Sequence, residues 1–105
     1  MDVKLKKKER LVSLLHDAAS SFIRFEADPN AMVTVVRTEL SDNLQSVKFY
    51  LSVFPDSHEE EILGFLKKKM RDFKNFMKPK IKMKYLPEAD FEIEKAWKFE
   101  AGIKD

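Results

Sequence analysis

The chain of 105 residues has no cysteine, so neither a disulfide framework nor thiolate chemistry is open to it, a composition that fits a reducing interior. No apolar stretch approaches the roughly eighteen residues that a membrane-spanning helix needs. The basic start runs into only a short apolar segment, broken by His16 and Asp17, which is not the pattern of a secretory signal. The default expectation is therefore a cytoplasmic protein. Histidine is scarce: His16 and His58 are the only two, they fall in different predicted elements, and no histidine or carboxylate spacing forms a metal site, so neither metal nor cofactor is expected. Ser20 and Ser21 lack a base placed by sequence, and Glu59, Glu60 and Glu61 are explained by a helix N-terminus rather than by acid-base work. Catalysis, and with it a small-molecule substrate, is not expected.

What is present is charge, sorted along the chain. Hydrophobic residues at 44% and charged residues at 36% describe a soluble folded chain rather than a disordered one. At this length it is one domain, with a core over about residues 5–95 and a C-terminal tail over 96–105. The formal charge of +2 conceals segregation. Between Leu66 and Lys84, nine basic side chains (Lys67, Lys68, Lys69, Arg71, Lys74, Lys78, Lys80, Lys82 and Lys84) face one acid, Asp72. Leu66, Met70, Phe73 and Met77 fall four, three and four apart, so they share one helical face while the cations crowd the rest. Like charges four apart on a helix repel by a few tenths of a kcal/mol per pair, roughly. Repulsion of this kind suggests an anionic partner, nucleic acid or an anionic membrane surface.

In chain order, Lys4 to Phe25 reads as a helix with a stripe of Leu11, Leu15, Ala18 and Phe22, widened by Val12, Ala19 and Ile23. Asp28-Pro29-Asn30 stops it. Met32 to Leu40, rich in β-branched residues, reads as a strand. Ser41-Asp42-Asn43 is a turn, and Ser46 to Phe54 alternates, with Val47, Phe49, Leu51 and Val53 on one face. Ser57 and Glu60 have the spacing of a capping box for a helix that runs to Pro79. Lys80 to Tyr85 and Asp90 to Glu94 both alternate; a last strand is expected within 82–94, centred on Glu88 to Glu94. The remainder, through Trp97 and Phe99, reads as a short helical or irregular tail. The long helix between the second and third strands is a crossover, so the expectation is a two-layer α+β domain whose three-stranded mixed sheet carries its helices on one face.

This order, with the residues that carry it, resembles the ribosome-binding factor A family of bacterial small-subunit assembly factors. The likeness covers about residues 5–95. It rests on Asp28-Pro29 leading into Val33-Thr34-Val35, on Glu39-Leu40-Ser41-Asp42-Asn43-Leu44 before Val47-Lys48-Phe49-Tyr50-Leu51-Ser52-Val53, and on Leu86-Pro87-Glu88 followed by Phe91. The resemblance implies a KH-like fold of type II, in which an Ala-x-Gly kink between two helices replaces the usual Gly-x-x-Gly loop. Aligned on Leu86-Pro87-Glu88, that kink falls at Lys69-Met70-Arg71, where neither alanine nor glycine is present. Either a straighter helix or a kink held by packing alone is expected there. The first helix is shorter than is usual in the family, and the stretch after Asp28-Pro29 is trimmed.

The resemblance further implies a monomer that binds the immature 30S subunit and its 16S rRNA without catalysis, assisting maturation of the precursor's 5′ end. Lys67, Lys68, Lys69, Arg71, Lys74 and Lys78 are the primary candidates for RNA contact, continued by Lys80, Lys82 and Lys84. Lys4, Lys6, Lys7, Lys8 and Arg10 form a second candidate patch, and Arg37 and Lys48 read better as an ordinary solvent face. Phe73 belongs to the core stripe, whereas Phe76, Tyr50 and Tyr85 are candidates for base stacking. The alternative is a peripheral anionic-membrane or protein-interaction module using the basic amphipathic helix. Such helices leave their apolar face free, and here Leu66, Met70, Phe73 and Met77 are needed to cover the sheet.

Overall fold

The structure, a computed structural model, describes residues 3–26 and 30–95, the first three as backbone only. The Asp28-Pro29 turn, the tail with Trp97 and Phe99, and the Lys4 side chain lie outside the described residues. The elements are α1 (Val3–Glu26), β1 (Met32–Leu40), β2 (Ser46–Phe54), a 3-10 turn (Asp56–His58), α2 (Glu59–Lys68), α3 (Met70–Met77) and β3 (Glu88–Ile93). β2 lies in the middle of the sheet, antiparallel to β1 and parallel to β3, so the sheet is mixed and the α2–α3 connection is the crossover. This is the helix-strand-strand-helix-helix-strand order of a type II KH-like α+β fold.

Alternation in β2 works as expected: Val47, Phe49, Leu51 and Val53 are buried beneath the helices, while Lys48, Tyr50 and Ser52 face outward. β1 hides its alternation behind a bulge. Val35 is opposite Leu51 and Arg37 is opposite Tyr50, which leaves Val36 as the extra residue. The inward set therefore changes parity, from Val33 and Val35 before the bulge to Thr38 and Leu40 after it. In the hairpin, Ser41 Oγ accepts from the backbone N–H groups of Gln45 and Ser46, and Leu44 adopts a φ of 62°. Leu44 packs on the core, which offsets a left-handed backbone costing about 1–2 kcal/mol.

The expected capping box does not form. A 3-10 turn, closed by His58 N–H donating to the Pro55 carbonyl at 3.0 Å, places Ser57 inside the turn and makes His58 the residue before α2. His58 Nδ1 instead lies 3.0 Å from Glu61 Oε1. The alternating run Lys80 to Tyr85 is not a strand. Lys80 and Ile81 both donate to the Met77 carbonyl at 2.9 Å, so this run winds off the end of α3, and the strand begins at Glu88. Its ladder carries on to Glu94, whose N–H reaches the Leu51 carbonyl at 2.8 Å.

The core is centred on Phe73. Its ring centroid lies 5.1 Å from Phe22 on α1, 5.6 Å from Phe49 on β2 and 5.4 Å from Phe91 on β3. One side chain of α3 thus touches α1 and two strands, and it is fully buried. Phe73→Ala is expected to cost about 3–5 kcal/mol, a large share of the roughly 5–15 kcal/mol typical of a domain. Urea denaturation checks this: the midpoint should fall steeply for alanine and less for Phe73→Leu.

Candidate nucleic-acid interface

Burial of one helical stripe decides where the cations point. Ile62 and Leu66 of α2, then Phe73 and Met77 of α3, face the sheet. Lys67, Lys68, Arg71, Lys74 and Lys78 are consequently exposed, and Lys69 is half-exposed. Because the apolar stripe is buried, it is not free for insertion into a membrane surface, and no helix among the described residues is long and apolar enough to cross one.

Beyond Pro79 the chain is held by its own apolar residues. Ile81 and Pro87 are buried and Met83 half-buried, while Lys80, Lys82, Lys84 and Tyr85 are exposed. A groove of about 480 Å³ lies between this segment and α3, lined by Lys74, Lys78, Met83, Lys84, Tyr85 and Glu88 among others. Sequence reasoning misses this groove, because the alternation of Lys82 to Tyr85 suggests a strand and not a groove wall.

Acids lean on part of this surface, two of them from β3 and one from α3 itself. Lys67 lies 3.8 Å from Asp90, Lys74 3.7 Å from Glu88, and Lys69 3.7 Å from Asp72. These are long, exposed pairs and hold their partners weakly. Lys68, Arg71, Lys78 and Lys82 have no carboxylate within ion-pair distance among the described residues.

The other sequence candidates divide. Lys8 is engaged at 2.7 Å by Asp42 of the hairpin, which holds the Asp42 carboxyl below its ordinary range, chiefly through that hydrogen bond. Lys6, Lys7 and Arg10 lie on α1, with Lys6 and Arg10 exposed and Lys7 exposed beside them. Lys8 borders a groove that also contains Glu39, Glu88 and Asp90, so acids stand between it and the central cations. Arg37 and Lys48 belong to a charge lattice on the open sheet face. Arg37 donates to Glu94 at 2.8 Å, contacts Glu39 and lies 3.8 Å above the Tyr50 ring; Lys48 meets Glu92 at 2.7 Å. The hydrogen bonds to Glu94 and Glu92 raise the pKa of Arg37 and of Lys48 respectively. Tyr50 is thereby covered on one face and tied through its hydroxyl to Glu39 at 3.2 Å. Phe76 packs on Phe22 at 5.5 Å and lies under Lys80 at 4.6 Å. Of the three stacking candidates, Tyr85 alone is open, at 76% exposure.

A sequence profile described as ribosome-binding factor A matches residues 7–105. The chain belongs to the ribosome-binding factor A family. The crystal structure of ribosome-binding factor A from Thermus thermophilus superposes with a TM-score of 0.73 at 25% identity, covering 82% of this chain and 93% of that one. A homology model of the Thermus thermophilus factor, fitted into the cryo-EM map of its complex with the 30S subunit, gives a TM-score of 0.68 at 26% identity over 77% and 88%. A Thermotoga maritima protein solved by NMR shares the fold, with a TM-score of 0.68 at 22% identity over 79% and 82%. No curated protein sequence matches the chain.

The resemblance places an interhelical kink at Lys69-Met70-Arg71, and the structure has a kink there. α2 ends at Lys68, Lys69 has φ −93° and ψ 12°, and α3 starts at Met70. Lys69 N–H is forked between the carbonyls of Phe65 and Leu66, both at 3.1 Å, and Phe73 N–H donates to the Lys69 carbonyl at 2.9 Å. A negative φ is open to any residue, so the bend does not require glycine. Lys69→Gly is therefore expected to lower stability, by about 0.5–1 kcal/mol, which equilibrium denaturation resolves.

The Lys8–Asp42 pair yields a pH prediction. The folded pKa of Asp42 is lowered, so its contribution to stability is present above the unfolded value of about 3.9 and is lost as pH falls through the folded one. Carboxyl-carbon NMR titration should show Asp42 moving up to the ordinary range in Lys8→Ala.

Proposed function

We propose that this protein is a non-catalytic assembly factor of the small ribosomal subunit. It binds the immature 30S particle and its 16S rRNA through the cations of α2, the kink, α3 and the following segment, and assists maturation of the precursor's 5′ end. Membership in the family supports the class of function, and the fitted 30S complex of the Thermus homologue supports the partner. The observation that carries the choice of surface is the set Lys68, Arg71, Lys78 and Lys82, exposed and without ion pairs among the described residues on the helix side of the molecule. Cations left unneutralised in the free protein are those that displace counterions from phosphates on binding. The open sheet face, where Arg37 and Lys48 are matched by Glu39, Glu92 and Glu94, offers an RNA backbone no such gain.

The work is mechanical on this reading: phosphate neutralisation anchors the domain, and its shape selects an RNA conformation. The protein acts as a monomer where subunits are assembled, in the cytoplasm, without cofactor.

The test is co-sedimentation with mature and precursor-containing small subunits across a salt series. Association should favour the precursor form and weaken as salt rises. Lys68→Gln, Arg71→Gln and Lys78→Gln together should reduce the slope of log affinity against log salt by about three, one per phosphate contact. A folded chain that does not associate at low salt would sink the reading.

A further inference from the structure

Among the described residues, one exposed aromatic ring in the cationic region has both an open face and a groove beside it. We propose that the groove between α3 and the segment Ile81 to Glu88 takes an unpaired base of single-stranded RNA, with Tyr85 as the stacking platform and Lys78 and Lys84 on the flanking phosphates. This deepens the RNA-binding reading above and rests on it.

The groove's two walls are built differently. α3 supplies Lys74, and Lys78 follows at its end, on a helix locked by Phe73 and Met77, which are buried. The opposite wall is irregular but anchored, by Ile81 beneath the end of α3 and by Pro87 at the entrance to β3. Between those anchors the chain makes few bonds to itself. Met83 N–H reaches the Ile81 carbonyl at 3.0 Å, and beyond Pro87 the Glu88 N–H joins the sheet at the Gln45 carbonyl, 2.9 Å away. The N–H groups of Lys84, Tyr85 and Leu86 have no backbone partner among the described residues. Backbone donors beside an exposed ring are suited to the edge of a base laid on that ring.

Charge sets the polarity of the site. Lys84 Nζ lies 5.6 Å from the Tyr85 ring centroid, so ring and ammonium are offered together, one for a base and the other for its phosphate. Glu88 is the acid in the groove and is partnered by Lys74 at 3.7 Å. Its carboxylate repels phosphate from that end and leaves Lys78 and Lys84 to hold it. A duplex does not satisfy this arrangement, since its bases are stacked on one another and present no free face to an aromatic side chain. The other rings nearby are less available: Phe76 packs on Phe22 and Phe25 beneath Lys80, and Phe65 is 37% exposed against 76% for Tyr85.

The probe is a short single-stranded RNA carrying 2-aminopurine, titrated with the full chain and read by fluorescence, beside the same strand in a duplex. The wild type should quench the single strand and bind it more tightly than the duplex. Tyr85→Ala should weaken binding about tenfold with an unchanged salt slope, because stacking releases no counterions, while Tyr85→Phe should retain it. Lys78→Gln and Lys84→Gln should each lower the slope by about one instead. Tyr85 is exposed, so its alanine variant should melt with the wild type; a variant that does not is replaced by Tyr85→Ser. Single-strand binding unaffected by loss of the ring, or a duplex bound and quenched equally well, overturns the proposal. Either result alongside intact subunit co-sedimentation removes the base pocket alone. Ring-dependent oligomer binding without subunit association would instead remove the assembly-factor reading and keep the pocket.

Discussion

The contact on which the rest of the molecule depends is the burial of Phe73 among Phe22, Phe49 and Phe91, with ring centroids 5.1 to 5.6 Å away. α3 has only eight residues and would not be stable as an isolated helix. It exists because one ring reaches α1, β2 and β3 at once and Met77 follows it into the core one turn later. That contact fixes the rotation of α3 about its axis. Arg71, Lys74 and Lys78 are then turned to solvent by geometry, and Pro79 starts the following segment where Ile81 drops beneath the same core.

Charge is separated across the two layers for a related reason. The helix layer must bury an apolar stripe, and the residues left over between Leu66 and Lys84 are almost all basic. The open face of the sheet has no covering layer among the described residues, and it is knit by side chains that satisfy one another: Arg37 lies across Tyr50 to reach Glu94, and Lys48 meets Glu92 on the neighbouring strand. Exposed pairs of this type add little stability. Their consequence is electrostatic: a surface of balanced or slightly acidic charge stands back to back with a strongly basic one, and a polyanion approaching the domain is oriented before it makes contact.

Most of the element order was legible in the sequence because it follows from local period and local breakers. The alternation of Val47 to Val53 and the stripe of Leu15, Ala18 and Phe22 depend on a residue's immediate neighbours, and the structure keeps both. What was not legible depends on partners far along the chain. The bulge at Val36 is visible only against β2, since Val33 to Leu40 is β-branched enough to be a strand in either parity. The spacing of Ser57 and Glu60 suits a capping box, yet a 3-10 turn after Pro55 moves the helix start past Ser57. The cationic run was plain, but which cations are free was not. Asp90 and Glu88, which lean on Lys67 and Lys74, come from β3, beyond the crossover, and the groove that collects Lys74, Lys78, Lys84 and Tyr85 exists only once that crossover is folded.

The kink shows that a helix can bend without the small residues that the resemblance implies for this position. Small residues at such a bend release the chain and let another backbone come close. Here the bend falls at Lys69 with an ordinary negative φ, and it is held by a forked hydrogen bond behind it and by Phe73 ahead of it. What the exchange alters is the surface. Lys69 and Arg71 put long cationic side chains where an alanine and a glycine would leave the peptide groups barer, so an anion approaching the bend meets full positive charge at the reach of a side chain. On the proposed RNA-binding reading, contact at this bend would be made by ion pairing, which is longer in range and more sensitive to salt than a short contact with the backbone. On the same reading, shape would be met elsewhere on this face, by the segment that carries Tyr85, whose ends are held in the core by Ile81 and Pro87.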